Sequence, residues 1–332
     1  FGPDEGTAPL MDAVAYRSRE RGYPHWRTLT TGKSFGIPHD TYGRLESGDL
    51  FGLFDRREKG TELSINGQSV LVTQDMDALY DAIGGRVETS GMTTTGVMGA
   101  FRTLVAHYGE AEEDLNLMMT GGPDGDLGAN EIQCYRGRIC LVIDGGSILF
   151  DPDGLDRCAL TKLAFMRHTS PRANSLAFPA EKLGPRGFQV PIAARNVTLP
   201  DGTLVEDGAL FHRTFLSDPH NRRFIREADI RAFIPCGGFK DTVNRGNIKN
   251  FLSVFKELQF IVEGANVFFD AAARRYIAAN TAIKQIKDTT ANKGGVFSSS
   301  VAEVLTAFLF GDDYEENLLK DMETRWGLIG DI

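Results

Sequence analysis

Three glycines at intervals of three, Gly122, Gly125 and Gly128, follow a short apolar run, Leu115 to Thr120, and precede a helical pattern through Glu131 to Tyr135. Strand, glycine turn and helix in that order can hold a phosphate. The missing side chains let an anion reach backbone N–H groups, and the helix N-terminus attracts negative charge. Asp126 and Leu127 lie in the same loop and are grouped with these glycines as cofactor-binding candidates. The spacing, G-x-x-G-x-x-G, departs from the usual dinucleotide pattern at its first interval. Asp144 ends the next apolar run, Ile139 to Ile143. A carboxylate there would accept hydrogen bonds from ribose hydroxyls and repel a 2′-phosphate. The loop alone fits a dinucleotide site or a glycine-rich turn of an unrelated α/β fold with Asp144 capping a loop. Loop and acid together favour NAD.

The elements that must position these residues alternate. Apolar runs at Leu115–Thr120, Ile139–Ile143, Ala232–Pro235, Phe260–Val262 and Ala282–Ile286 read as strands. Between them, Asp156–His168, a segment carrying Ile248, Phe251, Leu252 and Phe255, and Asp270–Ala279 read as helices. This alternation predicts an α/β fold: a Rossmann-like, doubly wound, mostly parallel sheet with helices on both faces. Residues 170–225 are less regular, with a turn at Pro200-Asp201-Gly202 between Val197 and Leu204. Upstream, Thr7–Glu20 and Met92–His107 have helical spacing, the latter with Val97, Phe101, Leu104 and Val105 on one face. Asn66-Gly67 between Leu63, Ile65, Val70 and Val72 predicts a hairpin.

Composition narrows the function classes. A chain of 332 residues, 42% hydrophobic and 24% charged, has the make-up of a globular protein. Net charge −9 argues against a nucleic-acid partner. No apolar run reaches membrane-spanning length, about 18 residues. Cys134, Cys140, Cys158 and Cys236 form no C-x-x-C pair, so neither a metal site nor a disulfide scaffold is expected, and a reducing compartment is.

Several longer segments, in order along most of the chain, resemble the large, fungal-type NAD-dependent glutamate dehydrogenases: Ile37–Gly43 (IPHDTYG), Thr120–Ile132 (TGGPDGDLGANEI), Ile261–Asn266 (IVEGAN) and Asn292–Ser300 (NKGGVFSSS). The resemblance implies residue roles. Asp4, in Gly2–Thr7, matches a proton-transferring aspartate. Thr93 matches a threonine near nicotinamide and substrate, and Ser299 a serine that helps hold a substrate carboxylate. Cys236 and Gly237 match the strand end that passes under the cofactor, and Asn266 and Asn292 match asparagines near the nicotinamide ring. Each has a plainer reading. Asp4 and Thr93 to Thr95 could cap helices, Asn266 could shape a loop, Ser298 to Ser300 could line a helix start, and Cys236 could be a packed strand-end residue. His39, a lone histidine, is assigned no chemistry.

The resemblance implies a division into 1–108, the end of a substrate domain and a connecting helix with an inserted element at 44–91; 113–290, a Rossmann-like NAD-binding domain; and 291–332, C-terminal helices packing back toward the remnant of the substrate domain. It implies NAD-dependent oxidative deamination of L-glutamate to 2-oxoglutarate and ammonia, by a homo-oligomer as the full-length protein. The expected compartment is the cytoplasm, with the mitochondrial matrix as alternative. The family's lysine-bearing segments precede the position of Gly2–Thr7, so the expectation is a fragment that binds NAD and lacks the catalytic lysine. Lys33 matches a different segment. The rival readings are another amino-acid dehydrogenase of the superfamily and a noncatalytic nucleotide-binding regulatory module.

Overall fold

The computed structural model describes Arg21 and residues 62–65, 68–71, 92–166 and 173–294. Two compact units are distinguished, one of residues 96–167 and 171–292, the other of residues 1–95, 168–170 and 293–332. Asp4, Ser299, the expected helix Thr7–Glu20 and residues 295–332 of the expected C-terminal helices lie outside the described residues.

In the second of these units, β1 (Glu62–Ile65) and β2 (Gln68–Leu71) pair antiparallel with Ile65 opposite Gln68. The antiparallel pairing agrees with the hairpin expected from the alternating residues on either side; Asn66-Gly67 lies outside the described residues.

The first unit is built on seven strands. These are β3 (Asn116–Thr120), β4 (Ile139–Ile143), β5 (Ser147–Phe150), β6 (Phe188–Pro191), β9 (Ile230–Pro235), β10 (Phe260–Val262) and β11 (Lys284–Ile286). A separate hairpin, β7 (Arg195–Thr198) with β8 (Leu204–Asp207), lies between β6 and β9 in sequence. The sheet order is β11-β10-β9-β3-β4-β5-β6. From β11 to β4 all neighbours are parallel; β5 and β6 add on antiparallel. The chain therefore starts in the middle at β3, winds outward through β4, then returns to the other side of β3 as β9 and winds out again. This is the doubly wound arrangement expected, and it puts a switch of winding direction between β3 and β9.

Burial explains why these runs are strands. Every residue of β3 and β4 is buried, as in a sheet covered on both faces. Side chains alternate between two separate cores. Met118, Phe233 and Ile261 point into one, Leu117, Met119, Ala232, Ile234, Phe260 and Val262 into the other.

The helices supply the covers. On one side α1 (Met92–His107), α2 (Asp126–Cys134) and α3 (Arg157–Met166) bring Val97, Phe101, Val105, Ala129, Ile132, Leu160 and Leu163. After α4 (Gly208–Thr214), three further helices cover the other side. They are α5 (Arg222–Glu227), α6 (Ile248–Val254) and α7 (Ala271–Asn280), with Phe224, Ile225, Ile248, Phe251, Val254, Ala273 and Ile277. The last described helix is α8 (Asp288–Ala291). Each large apolar side chain so buried stabilises the fold by about 1.5–3 kcal/mol.

The structure is more regular than the sequence predicts in one place. Residues 170–225, read as irregular, contain β6, the β7–β8 hairpin, α4 and the start of α5. Their four-residue strands are too short to display a period, and β7 is largely exposed, so it lacks an apolar run. Among the described residues, no helix is long and apolar enough to cross a membrane.

Candidate functional site

The loops that leave the C-terminal ends of β3 and β9 meet at the switch point. Thr120 joins them: its carbonyl accepts from the N–H groups of Cys236 and Gly237, both at 2.7 Å, and its Oγ1 donates to the Gly237 carbonyl at 2.7 Å. Gly121 turns the chain at φ +82°, and a β-carbon on it would lie 2.5 Å from the Gly237 nitrogen. Only glycine combines that backbone with that approach. Its N–H donates to the Ile143 carbonyl at 2.8 Å, which ties the loop to β4.

Gly122 lies against Asp144. A β-carbon at Gly122 would collide with the carboxylate, whose Cγ would be 2.7 Å away. The spacing of Gly122 and Asp144 thus becomes a direct contact in space. At Gly128 a β-carbon would run into the Gly122 carbonyl, whereas at Gly125 it would find ordinary contact at 3.5 Å. Gly125 instead serves as the N-cap residue of α2, in extended geometry and with no side chain bonded to the terminus. The first-turn N–H groups, from Asp126 on, have no acceptor within the helix. Leu127 packs its Cδ2 against the backbone of Gly264 in the loop after β10. Its contribution is apolar, fixing one loop against another.

Asp144 is 6% exposed. Its Oδ1 accepts from the N–H groups of Gly146 at 2.8 Å and Ser147 at 3.3 Å, and from the Ser175 hydroxyl at 2.5 Å. Its Oδ2 accepts from the Ser175 N–H at 2.8 Å. His212 on α4 donates from Nε2 to the Asp144 carbonyl at 2.7 Å. The sequence reading passed over Ser175, in a segment with no periodic signal, and Gly121, which falls outside the G-x-x-G-x-x-G pattern.

Beyond β9, the loops of β10 and β11 close in. The Ala265 N–H donates to the Pro235 carbonyl at 2.6 Å. Asn292, just after α8, donates its side-chain amide to the Gly264 carbonyl at 2.8 Å and to Asn266 Oδ1 at 2.7 Å. Under this pair lies a charged network. Glu263, fully buried, accepts from Arg274 Nε at 2.8 Å and from Gln285 at 3.0 Å. Arg274 also reaches Asp288 at 3.1 Å, and the other Asp288 oxygen accepts from the Val267 N–H at 2.7 Å. Burial pushes the Glu263 carboxyl up, and Arg274 opposes the shift. Val267 sits at φ +53°, a costly conformation for a β-branched residue, held directly after Asn266.

Cys236 has its thiol 3.5 Å from the Ile234 carbonyl, and burial pushes the thiol well above the usual range. A thiol held protonated is a poor nucleophile, in keeping with the packed strand-end reading. Thr93 lies in the first turn of α1, within the other unit. Gly122, Leu127, Gly128 and Asp144 thus gather at the same end of the sheet as Cys236, Gly237, Asn266 and Asn292, linked loop to loop by these contacts. Among the described residues, no group of three or more His, Cys, Asp or Glu side chains could hold a metal ion.

A family model described as Glutamate/Leucine/Phenylalanine/Valine dehydrogenase matches residues 84–325. Glutamate dehydrogenase 2 of Dictyostelium discoideum is 36% identical over 318 residues, covering 94% of this chain and 25% of that protein. The NAD-specific glutamate dehydrogenase of Saccharomyces cerevisiae is 32% identical over 330 residues, covering 97% of this chain and 25% of that protein. The chain spans about a quarter of the length of the curated relatives it matches. Among solved structures, Plasmodium falciparum glutamate dehydrogenase aligns with a TM-score of 0.44 at 14% identity, over 72% of this chain and 43% of that one.

Proposed function

The chain belongs to the glutamate/leucine/phenylalanine/valine dehydrogenase family, and we propose that it is the cofactor-binding part of an NAD-dependent glutamate dehydrogenase. The observation that carries this reading is the meeting of loops at the switch point, where Gly122, the start of α2 at Gly125 and the Asp144 carboxylate lie together. The donor set fits a dinucleotide. The first-turn N–H groups of Asp126, Leu127 and Gly128 would hold a pyrophosphate, in a cradle that a side chain at Gly122 would fill. Asp144 Oδ2 would accept from the ribose, and its charge would disfavour a 2′-phosphate. Asn266 and Asn292 would orient the nicotinamide carboxamide, with Cys236 and Gly237 forming the floor beneath.

Bound NAD supplies the acceptor for the hydride lost from the glutamate α-carbon. The chain's own contribution is positioning, since holding donor and acceptor at near-attack distance supplies much of the rate. Asp4 would move protons during conversion to 2-oxoglutarate and ammonia, and Thr93 and Ser299 would hold substrate. The domain division set out from the sequence, a homo-oligomeric full-length protein and a cytoplasmic location are parts of the same proposal. Four free cysteines support a reducing compartment.

Calorimetric titration of this chain with NAD and NADP, followed by an assay of NAD reduction with glutamate, tests the reading. Saturable NAD binding, tighter than NADP, is expected. No NAD binding, or NADP binding at least as tight, overturns it.

A further inference from the structure

Asp144 is held from outside its own loop. Ser175, fully buried in the short turn Ser175–Ala177, reaches it with two donors: hydroxyl to Oδ1 at 2.5 Å and backbone N–H to Oδ2 at 2.8 Å. The same hydroxyl lies 2.6 Å from the Ser147 hydroxyl. The turn is itself anchored, because Asn174 caps it through the Leu176 N–H and Gln189 on β6 donates to the Ser175 carbonyl at 2.7 Å.

The two carboxylate oxygens are therefore not equivalent. Oδ1 takes three donors, from Gly146, Ser147 and Ser175, and has no room for a fourth. Oδ2 takes one, and it is the oxygen nearest to where a side chain on Gly122 would sit. A carboxylate on a free strand end can turn about χ2 and exchange its oxygens. The two-pronged grip of Ser175 prevents that turn, and leaves one acceptor site of Oδ2 aimed at the glycine loop.

We propose that Ser175 is a specificity-determining, positioning residue that sets the preference for NAD over NADP through Asp144. This rests on the NAD reading above. With Ser175 in place, the carboxylate presents a fixed acceptor to a ribose 2′-hydroxyl and cannot swing aside for a 2′-phosphate. Without it, the acceptor is less well aimed and the charge can retreat. NAD then binds more weakly, NADP loses less or gains, and the ratio narrows from both sides.

Ser175→Ala in the full chain tests this, with NAD, NADP, ADP and 2′-deoxy-ADP titrated against variant and parent. Loss of one charge-assisted hydrogen bond predicts about tenfold weaker NAD binding, a smaller change for NADP, and less discrimination between ADP and 2′-deoxy-ADP. Ser175→Thr keeps the hydroxyl and should restore the preference. Parent-like ratios in Ser175→Ala overturn the proposal while leaving NAD binding standing; a parent chain that binds no NAD overturns both. If Ser175→Ala does not fold, Gln189→Ala loosens the turn without touching the carboxylate. It should narrow the ratio in the same direction, and an unchanged ratio there is equally fatal.

Discussion

Asn292 donates its side-chain amide to Asn266 Oδ1 across 2.7 Å, joining the loops that follow β10 and β11. The bond uses the acceptor of one amide and a donor of the other. It leaves the Asn266 amino group and the Asn292 carbonyl outside that bond; under the proposed NAD reading, a donor beside an acceptor would complement a primary carboxamide. Asn292→Ala should weaken NAD binding about tenfold but leave ADP-ribose binding almost unchanged, since ADP-ribose lacks the carboxamide. Equal losses for both ligands would mean that Asn292 acts only by holding the loop.

Gly122→Ala should abolish NAD binding, because the added methyl falls on the Asp144 carboxylate. The carboxylate would have to leave its four hydrogen bonds. Gly145→Ala is the matched control, since a β-carbon there meets nothing within 4 Å. Its stability should stay within about 0.5 kcal/mol of the parent. Titration and thermal unfolding of the two variants side by side separate the cradle from the general effect of losing a glycine.

Glu131 should make the fold less stable at high pH. It is fully buried on α2, both carboxyl oxygens lack hydrogen-bond partners, and burial pushes its pKa well above 4.5. Arg102 opposes the shift and Glu112 adds to it. A folded-state pKa above the unfolded one gives stability that is complete below the unfolded value and is lost as pH rises through the folded value. Glu131→Gln removes that titration. Denaturant unfolding at pH 5 and pH 8 should show the variant gaining on the parent as pH rises; a constant difference would show that Glu131 does not titrate in this range.

Arg274→Met should destabilise by about 3–5 kcal/mol, because it leaves Glu263 and Asp288 buried without their shared counter-charge. Part of the loss should return at low pH, where Glu263, whose carboxyl burial already pushes up, takes a proton. Urea unfolding at pH 5 and pH 7.5 measures both effects. A variant as stable as the parent at pH 7.5 would show that these carboxyls do not depend on Arg274.

Much of this molecule is legible along the chain. The apolar runs of β3, β4, β9 and β10 are buried on both faces, so each announces itself locally. The glycines around residue 122 are likewise local, because they answer to backbone sterics. What only the tertiary structure decided is which distant groups meet. β6 pairs antiparallel with β5 across a long connection although nothing in Phe188–Pro191 specifies a partner or a direction, since an apolar strand pairs either way and its neighbours choose. Thr120 bonds Gly237, a partner 117 residues away, because the winding reverses between β3 and β9. Ser175 reaches Asp144 from a turn without periodicity, so no spacing rule could find it. Local sterics and hydrophobic runs are written residue by residue. Juxtapositions such as these exist only once a closed sheet order has spent the chain entropy needed to bring remote segments together.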